Sequence, residues 1–144
     1  MRVLVIHGPN LNLLGNREPD VYGSQTLADI DELISTTAND LGIGVRSEQH
    51  NGEGDIIDAL HAARGNYDAV VINPAAYTHY SHAIADAIAA IAIPVVEVHL
   101  SNLASREDFR RRSVTARACR GTIVGFGAAS YSLALRALAE TLEK

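Results

Sequence analysis

The sequence is poor in residues that mark several common protein classes. It has no tryptophan, one methionine and one cysteine, Cys119, among 144 residues. A single cysteine excludes a disulfide within the chain and is typical of proteins that work in the reducing cytoplasm. We therefore expect a cytoplasmic protein with one domain, residues 1–144, which is long enough to bury a hydrophobic core.

Long apolar segments and an excess of positive charge are also missing. The longest apolar run, Ala87 to Val96, is far shorter than the roughly 20 residues of a membrane-spanning helix. The apolar run after Arg2 is shorter than the about 7 residues of a signal-peptide core. The formal net charge is −5, so no basic surplus can neutralise nucleic-acid phosphates. The composition predicts neither a membrane nor a nucleic acid as a partner.

Several familiar ligand motifs are absent or incomplete. There is no phosphate-binding GxxxxGK[ST] loop and no GxSxG nucleophile elbow. The segment GFGAAS at 125–130 begins like a dinucleotide-binding loop, but Ser130 stands at the third glycine position, so we interpret it as a tight strand-to-helix turn. His79 and His82 are candidate metal ligands, although no HExxH motif or cysteine pair supports a metal site.

What the sequence does contain is a regular alternation of strand and helix patterns. Unbroken apolar runs, which indicate strands covered on both faces, occupy 3–6, 69–72, 95–98 and 122–124, and a weaker strand is predicted at 44–49. Apolar residues at helical spacing follow at 27–41, 56–60, 83–91 and 131–142, the first with Thr26 and Asp29 as its cap. We predict a three-layer, doubly wound, flavodoxin-like α/β fold with a five-stranded parallel sheet in the order 2-1-3-4-5.

Polar side chains follow four of the predicted strands. They are His7 and Asn10, then Gln49 to Asn51, then Asn73, then His99 to Asn102. Ligands of such sheets bind beyond the carboxyl ends of the strands, so these residues predict a cleft. For any single strand end the alternative is ordinary turn chemistry, because asparagine tolerates left-handed conformations.

The most informative strand end is PVVEVHLSN, residues 94–102. Strand alternation puts Glu97, His99 and Ser101 on one face. A carboxylate that holds an imidazole raises its basicity and fixes its tautomer. The alternative is a buried structural ion pair, but a position at the ligand-binding edge favours catalysis.

Arginines are concentrated in the next segment, SREDFRRRS at 105–113. Arg106 and Arg110 are four residues apart, which predicts that they lie on one side of a helix. Guanidinium groups there suit an anionic substrate. We expect Arg111 and Arg112 to be exposed to solvent.

The link between the first strand and the first helix, HGPNLNLLGNREPDVYG at 7–23, is unusually long. It carries Arg17 and Tyr22. Taken alone, Tyr22 is better explained as a packing anchor and Arg17 as a solvent-exposed charge.

Four segments, GPNLNLLGNREPDVYG, INPAAYTH, EVHLSN and REDFRRRS, resemble the type II 3-dehydroquinases (3-dehydroquinate dehydratases) in order and spacing. The match covers essentially the whole chain. The resemblance implies a single catalytic domain that removes water from 3-dehydroquinate to give 3-dehydroshikimate through an enolate, without metal or cofactor. It also implies that the long link is a mobile lid, at about 15–24, that closes over the substrate.

The resemblance assigns catalytic roles to six residues. Tyr22 is the base that takes the proton beside the ketone. Because free tyrosine has a pKa of about 10, Arg17 has to stabilise its phenolate. The others are His99 as the general acid, Asn10 as the residue that holds a water against the enolate oxygen, and Glu97 with Asn73 as the groups that orient and polarise His99.

Substrate-binding roles follow from the same resemblance. The residues implied are Asn73, His79, Leu100, Ser101 and Arg110, with Arg106 as a second arginine that serves lid closure or the phenolate. Asp86 resembles a residue presented to the site of a neighbouring subunit, which implies a homo-oligomer, a dodecamer built from trimers. The implied partner is thus a small anionic substrate.

The chain departs from the usual family pattern at several positions, none of which carries a named chemical role. His7 replaces asparagine, Ala75 replaces glycine and Ala85 replaces arginine.

Two other functions stay open: a cofactor-free lyase acting on a related hydroxy-ketone acid, and a non-catalytic flavodoxin-like ligand-binding module. A receiver-type module is disfavoured because His7 and its neighbours stand where magnesium-binding acids are needed.

Overall fold

The computed structural model describes residues 1–16, 20 and 24–142, and in this part of the chain strands and helices alternate. The strands are β1 (Arg2–His7), β2 (Gly44–Gln49), β3 (Ala69–Asn73), β4 (Val95–His99) and β5 (Gly121–Val124). The longer helices are α1 (Leu27–Leu41), α2 (Glu53–Ala63), α3 (His82–Ile91) and α4 (Ala129–Leu142). No helix among these residues is long and apolar enough to cross a membrane.

The described strands form one parallel sheet in the order β2-β1-β3-β4-β5. The predicted α/β class and strand order are therefore confirmed. The register pairs His7 with Gln49 on one side and with Asn73 on the other, and pairs His99 with Val124. The carboxyl ends of the strands thus meet at one edge, where the sequence concentrates polar residues.

Both faces of the sheet are covered, which explains the unbroken apolar runs. Val3 and Val5 of β1 belong to a core shared with α1 and α4, whereas Leu4 and Ile6 belong to a core shared with α2 and α3. All four side chains are at most 1% exposed. Full burial of a side chain of this size contributes roughly 1.5–3 kcal/mol, so these alternating contacts fix the register of β1.

The start of α1 is capped as the sequence predicts. The Thr26 Oγ1 accepts a hydrogen bond from the Asp29 backbone N–H at 3.2 Å, and the Asp29 Oδ2 accepts one from the Thr26 N–H at 3.0 Å. Together they satisfy two backbone donors that have no partner within the helix. Gly42, with φ of 69°, ends the helix.

The GFGAAS segment is a tight turn, as predicted. Gly125 and Gly127 have φ of 96° and 57°, in the left-handed region that favours glycine. The N–H of Gly125 donates to the carbonyl of His99 at 3.2 Å, and that of Gly127 donates to the carbonyl of Leu100 at 2.9 Å. The turn therefore fixes the backbone at the end of β4.

The prediction that Arg106 and Arg110 share a helix is wrong. Two separate 3₁₀ turns, Leu103–Ser105 and Asp108–Arg110, occupy the segment. Short polar side chains compete with helix formation here. The Asn102 Oδ1 accepts from the Ala104 N–H at 3.2 Å, and the Ser105 hydroxyl donates to the Asn102 carbonyl at 2.9 Å.

Candidate active site

A cleft opens at the carboxyl edge of the sheet. It lies beyond the ends of β1, β3 and β4, as expected for this fold. Eight of the residues singled out from the sequence line it, namely Asn10, Asn73, His79, His99, Leu100, Ser101, Arg106 and Arg110.

Asn10 is positioned by the ends of two neighbouring strands. Its φ is 68°, a left-handed conformation that asparagine tolerates. Its backbone N–H donates to the Asn51 Oδ1 at 3.0 Å. The Gln49 Nε2 donates to the same oxygen at 2.9 Å and to the Gly8 carbonyl at 3.1 Å. The end of β2 thus supports the site without lining it.

Glu97 and His99 form a buried pair beside the cleft. The Glu97 Oε2 accepts from the His99 Nε2 at 2.9 Å, and the two residues are 1% and 5% exposed. Since a carboxylate only accepts hydrogen bonds, this contact places a proton on Nε2. The other ring nitrogen, Nδ1, is then the one that can exchange a proton in the cleft.

Three hydroxyl groups surround the Glu97 carboxylate, and sequence reasoning missed all three. The hydroxyls of Thr78 and Ser113 donate to Oε2 at 2.9 and 2.7 Å, and that of Thr115 donates to Oε1. Burial raises the pKa of Glu97, but the hydrogen bond and charge of His99 and the hydroxyls of Thr115 and Ser113 outweigh it and hold the pKa below its ordinary value. Glu97 is therefore ionised at neutral pH.

His79 presents an acceptor to the cleft. Its Nδ1–H donates to the backbone carbonyl of Arg112 at 2.7 Å, so Nε2 carries the lone pair. Partial burial lowers the pKa of His79, the bond to Arg112 opposes this, and the nearby His99 and Arg110 lower it further. The neutral form dominates at pH 7, and it suits a substrate hydroxyl group better than a carboxylate.

Arg106 and Arg110 meet at one side of the cleft although no single helix carries them. The Arg110 Nε donates to the Glu107 Oε1 at 2.7 Å, and the Arg106 Nε lies 3.8 Å from the Glu107 Oε2. The Arg106 Nη1 also donates to the Ser101 hydroxyl oxygen at 3.1 Å. Guanidinium groups so placed suit an anionic ligand.

Ala75, which stands where the family usually has glycine, has a backbone conformation that shows why glycine is usual there. It has φ of 51°, a conformation that favours glycine. An alanine there costs roughly 1–2 kcal/mol. The conformation is retained because the Ala75 N–H donates to the Asn73 Oδ1 at 3.1 Å, which holds that amide at the cleft.

Among the described residues, Asp86 is a predicted site residue that lies away from the cleft. Asp86 lies exposed on α3 and does not line it. Arg17 and Tyr22 lie outside the described residues, as does most of the predicted lid at 15–24. Their roles stay predictions.

Two polar strand-end residues serve the local structure instead of the cleft. His7 is 1% exposed and its ring contacts Asp31 and Tyr131. Asn102 caps the turn that follows it. Within the described residues there is also no group of three or more histidine, cysteine or acidic side chains arranged to hold a metal ion.

General acid–base catalysis needs a titratable group held in a fixed orientation beside a binding cleft, and the Glu97–His99 pair meets this requirement. The class of protein is thus an α/β enzyme with a small-molecule site at the end of its sheet. The family model described as class II dehydroquinase matches residues 1–139, and the chain belongs to this family.

Individual relatives agree with the family assignment. The chain is 57% identical to a 3-dehydroquinate dehydratase of Thermoanaerobacter pseudethanolicus over 137 residues, which are 95% of this chain and 93% of the relative. It is 55% identical to a 3-dehydroquinate dehydratase of Desulforudis audaxviator over 144 residues, 100% of this chain and 96% of the relative. The crystal structure of the type II dehydroquinase from Butyrivibrio crossotus superposes with a TM-score of 0.94 at 46% identity, covering 96% of this chain and 97% of that one.

Proposed function

We propose that this chain is a 3-dehydroquinate dehydratase, a hydro-lyase of the shikimate pathway that converts 3-dehydroquinate to 3-dehydroshikimate and water. The observation that carries the proposal is the Glu97–His99 pair beside a cleft lined by Arg106 and Arg110. The reaction requires a general acid next to a surface that binds a carboxylate. The names of the two relatives at 57% and 55% identity support the same activity.

His99 protonates the departing hydroxyl group. In its imidazolium form the ring carries hydrogen on both nitrogens, and Glu97 holds the one on Nε2. The Nδ1 proton passes to the hydroxyl oxygen as the carbon–oxygen bond breaks, and water leaves. The neutral ring that remains already has the Nε2–H tautomer that Glu97 stabilises, so His99 does not have to reorient between turnovers.

The substrate carboxylate binds at the loop after β4. Arg106 donates to the Ser101 oxygen, which leaves the hydrogen of the Ser101 hydroxyl for a substrate oxygen. We assign the backbone N–H groups of Leu100 and Ser101 and the guanidinium of Arg110 to the same carboxylate. Asn73 and His79 contact the ring hydroxyl groups.

The first half of the reaction requires a base and a group that stabilises the enolate. Tyr22 takes the proton from the carbon beside the ketone, and Arg17 stabilises the phenolate that does so. Asn10 holds a water molecule against the developing enolate oxygen. The assignments of Tyr22 and Arg17, and the closing of a lid over the substrate, rest on the resemblance of the segment GPNLNLLGNREPDVYG to the family.

Activity without additives tests this function. Purified protein treated with a strong chelator and supplied with 3-dehydroquinate alone should form the conjugated enone of the product, which is followed by its ultraviolet absorbance. Quinate is the matched control, because it lacks the ketone that acidifies the adjacent carbon–hydrogen bond, and it should not react. Loss of activity on chelation that added metal restores would contradict the cofactor-free mechanism. Turnover of a related hydroxy-ketone acid in place of 3-dehydroquinate would favour the alternative lyase.

We also propose that the enzyme acts in the cytoplasm as a closed homo-oligomer, a dodecamer built from trimers. The exposed position of Asp86 on α3, away from the cleft of its own chain, supports a role at a neighbour's site. Sedimentation of the active protein should give a mass near that of twelve chains. The Asp86→Ala variant should then lose activity, whereas Asp40→Ala, a change at another exposed aspartate, should not. A stable monomer with full activity would rule out the shared site.

A further inference from the structure

Behind the cleft lies a line of four polar side chains, of which the proposed reaction uses one, Asn73. The His7 Nε2 is 2.8 Å from the Asp31 Oδ1, the His7 Nδ1 is 2.9 Å from the Tyr131 hydroxyl oxygen, and that oxygen is 3.1 Å from the Asn73 Nδ2. His7, Tyr131 and Asn73 are 1–3% exposed, whereas the Asp31 side chain is 40% exposed. We call these residues the Asn73 row.

The row joins four separate elements on one face of the sheet. Asp31 lies on α1, His7 on β1, Tyr131 on α4 and Asn73 on β3. Of the four, Asn73 is the one that lines the cleft. The row therefore connects a partly exposed carboxylate on α1 to a side chain at the active site.

The hydrogen bonds of the row have one direction. The Asp31 carboxylate can only accept, so His7 carries its proton on Nε2 and offers a lone pair at Nδ1. Tyr131 must then donate its hydroxyl hydrogen to Nδ1, and its oxygen accepts from the Asn73 Nδ2. Burial raises the pKa of Tyr131 above its ordinary value, so its hydroxyl keeps this hydrogen.

This direction determines which atoms Asn73 presents to the cleft. Its Oδ1 accepts from the Ala75 N–H at 3.1 Å, and one hydrogen of its Nδ2 is bound by Tyr131. The second hydrogen of Nδ2 is then the donor that the amide offers to a ligand. If the amide were flipped, its NH₂ group would face the Ala75 N–H, and two donors would meet. Its oxygen would face the Tyr131 hydroxyl oxygen, which would then have no donor from Asn73.

We propose that Asp31, His7 and Tyr131 are positioning residues that lock the Asn73 amide with its N–H directed to an oxygen atom of the substrate. The inference rests on the proposed function, because it takes the cleft to be the substrate site. The row selects a hydrogen-bond acceptor at that point of the substrate. It is separate from the Glu97–His99 pair, whose side chains lie on the opposite face of the sheet.

A double-mutant cycle tests the row. Tyr131→Phe keeps the buried ring but removes the acceptor for Asn73, and it should lower kcat/KM roughly tenfold, the value of one lost hydrogen bond to an oriented group. In an Asn73→Ala background the same change should have almost no further effect, because no amide is left to orient. Tyr67→Phe, the same change beside Arg2 and away from the cleft, is the matched control. A full tenfold loss in the Asn73→Ala background would assign Tyr131 a merely structural role and overturn the proposal.

A second variant keeps the test open if Tyr131→Phe does not fold. Asp31→Leu removes the carboxylate at the partly exposed end of the row. It should lower kcat/KM when Asn73 is present and have almost no effect in the Asn73→Ala background. Asp31→Asn retains an acceptor oxygen and should lose less activity. Selective ¹⁵N labelling of histidine, with His7→Asn to identify the signal, should show His7 protonated on Nε2 and not on Nδ1. The opposite tautomer would overturn the proposal. This spectrum needs no turnover, so an inactive wild-type protein would count against the proposed function and leave the row to be judged separately.

Discussion

His99→Gln is expected to lower kcat by roughly 10²–10⁴-fold, the usual contribution of a positioned general acid. Glutamine retains an N–H that can donate to Glu97, so the buried carboxylate does not lose a partner, but it has no proton to give to the leaving hydroxyl group. The steady-state rate with 3-dehydroquinate measures the effect, and the urea unfolding midpoint checks that the fold is intact. His82→Gln, at an exposed histidine of α3 outside the cleft, is the matched control. A kcat near the wild-type value in His99→Gln would remove His99 from the mechanism.

Glu97 gives the role of His99 a second check. The pKa of Glu97 is held below its ordinary value, so the carboxylate is charged at neutral pH. Glu97→Gln removes that charge and with it the anion that orients the His99 ring, so kcat at pH 7 should fall while the urea unfolding midpoint shows whether the fold is kept. An unchanged kcat in a folded Glu97→Gln variant would show that the carboxylate does not act on the acid.

Tyr22→Phe is expected to lower kcat at least about 10²-fold, because the change removes the proposed base and keeps the aromatic ring. Substrate affinity should change little. Arg17→Ala leaves the hydroxyl in place but takes away the cation that stabilises the phenolate, so the acidic limb of the pH–rate profile should move to higher pH. Near-normal kcat in Tyr22→Phe with an unmoved profile would instead indicate that the loop tyrosine only packs.

The fold was predictable because its signals are local and repeated. Unbroken apolar runs such as Val3 to Ile6 identify buried parallel strands, and the Thr26–Asp29 cap identifies where α1 begins. The contact between Glu97 and His99 was predictable for a similar reason, since alternation along one strand puts the two side chains on the same face.

Other parts of the site depend on tertiary contacts that no local pattern encodes. Thr78 reaches Glu97 from a 3₁₀ turn, Ala75–His79, and Ser113 and Thr115 reach it from a separate loop. A hydroxyl residue in such segments has many other uses. The sequence predicted Tyr131 as an apolar residue of α4, but it did not show that its hydroxyl meets His7. The prediction of one helix for Arg106 and Arg110 was wrong because it used only residue spacing. Spacing does not show that the side chains of Asn102 and Ser105 form hydrogen bonds that stabilise a turn instead.

The Glu97 carboxylate is stabilised by hydroxyl dipoles and an imidazole, without an arginine or lysine among its hydrogen-bond donors in the described structure. Dipoles lower the energy of an anion but do not cancel its charge, so its field still reaches the His99 ring. Dissolved salt screens solvent-facing charges far more than buried ones. A rise in ionic strength should therefore weaken the long-range attraction of an anion from solution towards the cleft more than it weakens the field of Glu97 at the His99 ring, so capture of the substrate should be more sensitive to salt than transfer of the proton.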